Sequence, residues 1–192
     1  MVRRVMFSIW FVLAFAAGWI PAADLPAGWM KAGSYPGEYE MGVDRTNKHE
    51  GRAVAFIKGT AAQFHGFGTL MQMATPGEYR GKRVRLSANV KSEKVSNWAG
   101  LWFRVDGVER GEVLAFDNMQ QRPIKGTTDW KRVAIVLDVP KEAAGLAFGL
   151  LLDGGGQVWM DDLKFEVVKS DVSVTGNTSL ISSPPRNLDF EK

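Results

Sequence analysis

Apolar and polar residues alternate with a period of two over most of this chain, the spacing of strands that turn one face to a core. Val84-Arg85-Leu86-Ser87-Ala88-Asn89-Val90 shows it most simply. Between Asn97 and Asp106, Ala99, Leu101, Phe103 and Val105 share one face, and Trp98, Gly100, Trp102 and Arg104 share the other. From Trp130 to Val139 the pattern recurs, with Val133, Ile135, Leu137 and Val139 together. Weaker stretches predict strands over Tyr39–Val43, Ala53–Lys58, Gly68–Met73, Val113–Asp117, Leu146–Leu152 and Gln157–Val168. Turn residues separate them at Pro76-Gly77, Asp106-Gly107, Lys125-Gly126 and Asp153-Gly154-Gly155-Gly156. Only Lys141 to Ala144 suggests a helical turn, and the crossover helices that a parallel sheet needs are missing. The expected fold class is all-β, a two-sheet antiparallel sandwich of about eight to ten strands. Its expected core contains Val84, Leu86, Leu101, Phe103, Val133, Ile135, Leu137, Phe148 and Leu150.

The two ends depart from this pattern. Arg3 and Arg4 precede an apolar run from Val5 to Ile20, and Pro21-Ala22-Ala23 closes it with small residues. That is the layout of a secretory signal peptide over residues 1–23. The run falls short of the roughly 20 residues that span a bilayer as a helix. Ile20 lies three residues upstream of a cut after Ala22, an imperfect site, so an uncleaved anchor is the alternative. Both readings export the folded part, to the periplasm or the exterior, with no membrane contact once the leader is cut. Residues 24–168 form the expected domain. Residues 169–192 read as a linker-like tail rich in Ser, Thr, Asn and Pro, ending in Asn187-Leu188-Asp189-Phe190-Glu191-Lys192. That last element could add an edge strand, meet a protein partner, or simply fray.

Composition narrows the chemistry. The chain has 24 Lys and Arg against 21 Asp and Glu, and two of the arginines lie in the leader. The remainder is nearly neutral, which implies no nucleic-acid partner. Cysteine is absent, so there is no disulfide framework, thiol nucleophile or thiolate metal site. His49 and His65 are the only histidines and stand in polar or Gly-rich surroundings without metal-ligand spacing. No Gly-x-Ser-x-Gly elbow occurs. Asp117 with Asp161 or Asp162 could be nominated as a glycosidase pair, but nothing in their spacing marks them as one. The expectation is a non-catalytic protein.

Three segments carry a family likeness. Gly156 to Glu166, with Val158-Trp159-Met160-Asp161-Asp162 at its centre, resembles the closing strand of galactose-binding-like jelly rolls, a group that includes many carbohydrate-binding modules. Tyr79 to Lys91 resembles the family's tyrosine-led strand ending in valine-lysine, and Thr128-Asp129-Trp130 resembles its threonine-x-tryptophan strand entry. The resemblance spans about half of the chain beyond the leader and implies a jelly-roll β-sandwich. The family's usual Asn-x-x-Phe-Glu opening is replaced here by Leu25-Pro26-Ala27-Gly28-Trp29, while the Asn187–Glu191 tail looks more like that opening. Gly66 to Gln72 is similar to segments of bacterial proteins of unsettled function, some of which carry such a domain beside an AraC-type DNA-binding region. No helix-turn-helix pattern occurs in this chain. The resemblance also implies a structural calcium ion between the first and last strands. Asp162 would be the last-strand ligand and Glu40 or Asp44 an early partner, short of the six to eight oxygens that calcium takes.

The aromatic residues supply the positive functional argument. If Leu101, Phe103 and Val105 face the core, Trp98 and Trp102 face away from it with Gly100 leaving space between them. Sugars offer flat C–H faces to such rings and hydroxyls to planar polar groups. Arg104 shares that face, and Arg85 and Asn89 join it if their strand pairs with this one as a hairpin. Gln72 and Asn118 join only if their strands are neighbours. A loop such as Gln120–Gly126 could instead cover the two indoles, since tryptophan is usually largely buried. The leading expectation is an exported ligand-binding module for carbohydrate. The alternative is a structural or protein-interaction domain, an accessory or sensor without a sugar ligand.

Overall fold

The computed structural model describes residues 24–47, 49, 51 and 53–178. Ten strands form among them: β1 (Met30–Gly33), β2 (Tyr39–Asp44), β3 (Val54–Gly59), β4 (Phe67–Ala74), β5 (Lys82–Asp106), β6 (Val113–Asp117), β7 (Ile124–Val139), β8 (Gly145–Asp153), β9 (Gln157–Val168) and β10 (Asn177–Thr178). Every pairing is antiparallel. Helical structure among the described residues is limited to single 3₁₀ turns at Pro36–Glu38 and Gly77–Tyr79; Lys141 and Glu142 make a plain turn. The all-β expectation holds.

The two strands expected at Val84–Val90 and Asn97–Asp106 are one. β5 runs for 25 residues, and the polar stretch Lys91–Lys94 that interrupts its alternation is a bend rather than an end. Its register against β7 slips between Val90 and Ala99, and Lys94 adopts a left-handed φ of 52°. Lys82–Val90 lies between β7 and β9, whereas Phe103–Asp106 lies between β8 and β6. The strands therefore form one continuous sheet folded over through β5. One flank runs β2-β3-β9-β5-β7, the other β1-β4-β8-β5-β6-β10. Lys125-Gly126, read as a turn, lies inside β7, with Gly126 at φ 65° where the register slips.

Both flanks turn their apolar residues to a shared core. Phe165 of β9 meets Phe103 of β5 and Phe148 of β8 edge-on, with ring centroids 5.4 and 4.8 Å apart. Such pairs add about 0.5–1.5 kcal/mol beyond area burial. Val84, Leu86, Leu101, Phe103, Ile135, Leu137, Phe148 and Leu150 are all buried, and Val133 is half-buried at the margin. β1 escaped the pattern because Met-Lys-Ala-Gly has no alternation; it forms as an edge strand on β4.

The segment after β9 is more than a linker. Arg83 donates to the carbonyls of Ser170 and Val172, at 2.5 and 2.7 Å. Thr175 exchanges hydrogen bonds with Val136 of β7 and donates its hydroxyl to Asp117 of β6. β10 then pairs with Phe116 and Ala115. Residues 169–178 thus belong to the folded unit. The leader over residues 1–23 and the Asn187–Lys192 element lie outside the described residues.

Candidate functional site

On the face of β4, β8 and the second half of β5 that turns away from the core, register aligns Met71, Gly149 and Trp102 in one row. Thr69, Leu151 and Gly100 form the next row. Alternation explains the choice, since Leu70, Leu150, Leu101 and Phe103 take the inward positions. A groove of about 550 Å³ opens on this face, with Trp98, Trp102, Phe67 and Met71 among its walls and Phe116 and Gly33 at its rims. That volume falls within the roughly 300–1,000 Å³ usual for ligand sites.

Trp102 forms the floor. Only 8% exposed, it packs with Ala147 and Leu151, and its Nε1–H donates to Thr69 Oγ1 at 2.7 Å. The indole reaches from β5 past β8, where its register neighbour is Gly149, to Thr69 of β4. Thr69 passes its own proton to the Leu150 carbonyl at 2.7 Å, so the hydroxyl is fixed as an acceptor toward the indole. Trp98 is half-buried and forms a wall. The space at Gly100 between the indoles is filled: a Cβ there would lie 3.0 Å from Met119 Cβ and 3.1 Å from the Asn118 carbonyl. A loop does cover part of this face: the Asn118–Met119 corner packs over Gly100, and Gln120, Pro123 and Lys125 of the following segment border a concavity with Trp98.

Asp117 anchors that corner. Buried, its carboxylate accepts from the Met119 N–H, both Arg122 Nη atoms and the Thr175 hydroxyl. The position it enforces is strained, with Met119 at φ 62°. A carboxylate so fully engaged is a structural anchor.

Of the seven residues expected at a ligand site, Trp98, Trp102, Arg104 and Asn118 converge on the groove. Arg104 Nη2 donates to Asp106 Oδ2 at 3.2 Å, and its Nε lies 2.7 Å from Oδ1, which cancels much of its charge. Asn118 accepts the Gln120 N–H with Oδ1, leaving its amide NH₂ for a ligand. The other three lie elsewhere. Arg85 and Asn89 are on the first half of β5, in the opposite flank, where Arg85 stands 3.9 Å from Glu166 and Asn89 is opposite Asp161 and Arg132. The hairpin that would have joined them to Trp98 does not exist, because the two segments are one strand. Gln72 takes an inward position on β4, beside Gly28. Thr69, Phe67, Met71 and Phe116 were missed. Alternation in β4 groups the first three, but nothing local shows that β4 lies one strand away from β5.

The three carboxylates expected to hold calcium are not brought together. Asp162, at a left-handed φ of 51°, pairs with Arg132 at 2.5 Å and Lys164 at 3.1 Å. Hydrogen bonding to Lys164, then Arg132, holds its carboxyl below the usual range. Asp44 accepts from Thr46, Asn47 and the Trp159 indole. Burial alone would raise its pKa, but these hydrogen bonds outweigh that and hold it well below the carboxylate range. Glu40 stands opposite Lys58. Among the described residues no group of three or more His, Asp or Glu side chains is placed to hold a metal ion. His65 Nδ1 lies 2.5 Å from Glu38, while His49 packs on Trp130 with Nδ1 3.6 Å from Asp161.

The fold is that of the β-sandwich carbohydrate-binding modules. The CBM22-1 xylan-binding domain of Paenibacillus barcinonensis Xyn10C superposes with a TM-score of 0.54 at 16% identity, over 78% of this chain and 91% of that one. A cyclase from Fischerella sp. TAU gives 0.53 at 16% identity, over 77% and 89%. At these identities the likeness is one of fold. In sequence, the chain is 47% identical over 169 residues to a Bacillus subtilis protein named as an uncharacterized HTH-type transcriptional regulator, YbfP. The match covers 86% of this chain and spans 57% of that relative's length. No protein-family profile matches.

Proposed function

We propose that this protein is a non-catalytic carbohydrate-binding module that holds its ligand in the groove walled by Trp98 and floored by Trp102. The observation that carries the reading is the pairing of apolar ring surface with unspent planar polar groups, the Asn118 amide and the outer edge of Arg104, in one concavity of suitable size. Pyranose rings present the same combination of flat C–H faces and equatorial hydroxyls. The xylan-binding domain with the same fold supports the ligand class. The carboxylate nearest the groove along β6, Asp117, is engaged by the Met119 N–H, Arg122 and Thr175 and is no free base, which favours binding over catalysis. Residues 1–23 mark the protein for export to the periplasm or exterior. Depletion of the purified protein by insoluble polysaccharides, followed by a glycan array, tests the ligand class. Retention by none of them overturns the reading.

A second reading is favoured by the curated relative, whose name is that of a transcriptional regulator. In it the same groove is the sensing site of a regulatory protein, and its occupancy is passed to a partner. Fractionation separates the two, since a chain recovered in the cytoplasm with residues 1–23 intact supports the sensor and removes the export proposal.

A further inference from the structure

Trp98 has a second concavity on its other side. About 280 Å³ in volume, it is lined by Asn97, Trp98, Gln120, Pro123, Lys125 and Asp153. Alone it is under the usual size of a ligand site. It shares Trp98 with the groove, however, and the Asn118–Arg122 corner that borders the groove also supplies Gln120 here.

The two sides differ in chemistry. In the groove Thr69 is spent on Trp102 and Leu150, and Arg104 engages Asp106 through Nε and Nη2, which leaves the Asn118 amide and Arg104 Nη1 as the free polar groups. Beyond Trp98 the polar groups are unspent. The side chains of Asn97, Gln120, Lys125 and Asp153 enter none of the side-chain hydrogen bonds or ion pairs formed among the described residues. Two amides, an ammonium and a carboxylate offer both donors and acceptors in one small space, the complement of adjacent hydroxyls. Their charges sum to zero, as do those of Arg104 and Asp106, so neither side selects an ion.

We infer that Asn97, Gln120, Lys125 and Asp153 form a second subsite, and that the ligand is an uncharged oligosaccharide lying across Trp98 rather than a single sugar. The inference rests on the carbohydrate reading of the groove and adds its length and charge. One unit packs against the aromatic floor, and the next places its hydroxyls among the four free polar groups.

The test is calorimetric titration of the purified protein with ladders of gluco-, xylo- and manno-oligosaccharides from one to six units, and with a uronic-acid ladder. Affinity rises at least tenfold between one unit and three for a neutral ladder, and the uronic-acid ladder binds no more tightly. In the double variant Gln120→Ala/Lys125→Ala, at two exposed positions, the trimer loses at least fivefold while the single sugar binds as before. Affinity that is flat with length, preference for the acidic ladder, or equal binding of the trimer by variant and wild type overturns the second subsite alone. Binding of no saccharide at any length overturns the groove reading with it.

Discussion

Trp98 and Trp102 carry different loads although they stand four residues apart on one face of one strand. Trp98 is half-buried at a wall of the groove, so on the proposed reading Trp98→Ala weakens ligand binding far more than it weakens the fold. The expected loss is about 1–3 kcal/mol of binding free energy, read by calorimetry, with a smaller loss of thermal stability than Trp102→Ala causes. Trp102→Ala opens a cavity in a packed cluster and strips Thr69 of its donor, so roughly 3–5 kcal/mol of stability goes as well, measured by denaturant unfolding. Equal destabilisation by the two variants would mean that Trp98 serves the packed cluster as fully as Trp102 does. Asp44 offers a pH test. Its pKa is depressed by hydrogen bonds from Thr46, Asn47 and Trp159. Its contribution is therefore complete above the unfolded carboxylate pKa of about 4 and is lost as pH falls through the folded value. Asp44→Ala should cost roughly 1–3 kcal/mol near neutrality. Wild type and variant should then converge in acid, a trend that urea titrations at several pH values would check.

At the scale of elements, the corner after β6 links groove and C-terminal segment through one carboxylate. Asp117→Ala releases Arg122, the Met119 N–H and Thr175 together, at an expected cost of about 2–4 kcal/mol. Hydrogen exchange should then speed up in both residues 118–122 and 170–176, and acceleration in only one segment would show that they are held independently. Eight of the ten strands were readable from alternation, most of them to within a residue or two. The exceptions are instructive. β1 has no apolar face of its own, β10 is two residues long, and β5 looked like two strands because a polar bend resembles a turn when its partners are unseen. The groove was half-legible for the same reason. Which face of β5 holds the tryptophans is a local property, whereas Thr69 and Met71 reach the site only because β4 and β8 lie in that order. Arg85 and Asn89 fall away on the same point, since the hairpin on which their inclusion depends is one bent strand.

The whole molecule extends further along the chain than its strand pattern suggested. Residues 169–178 tie Arg83, Val136, Asp117 and β6 together. A chain ending at Val168 should accordingly melt well below one ending at Thr178, with equal melting temperatures restoring the linker reading. β5 also sets the order in which the molecule can form. Its partners β6, β7, β8 and β9 all follow it in the chain, and β9 must enter between β3 and β5. On a ribosome adding about 5–20 residues per second, β5 waits roughly 3–12 s for its last neighbour to be made. Until then β2 and β3 have no strand that hydrogen-bonds them to β5. A sheet completed by the insertion of its last long strand into its middle keeps its final strand order open until that strand is made.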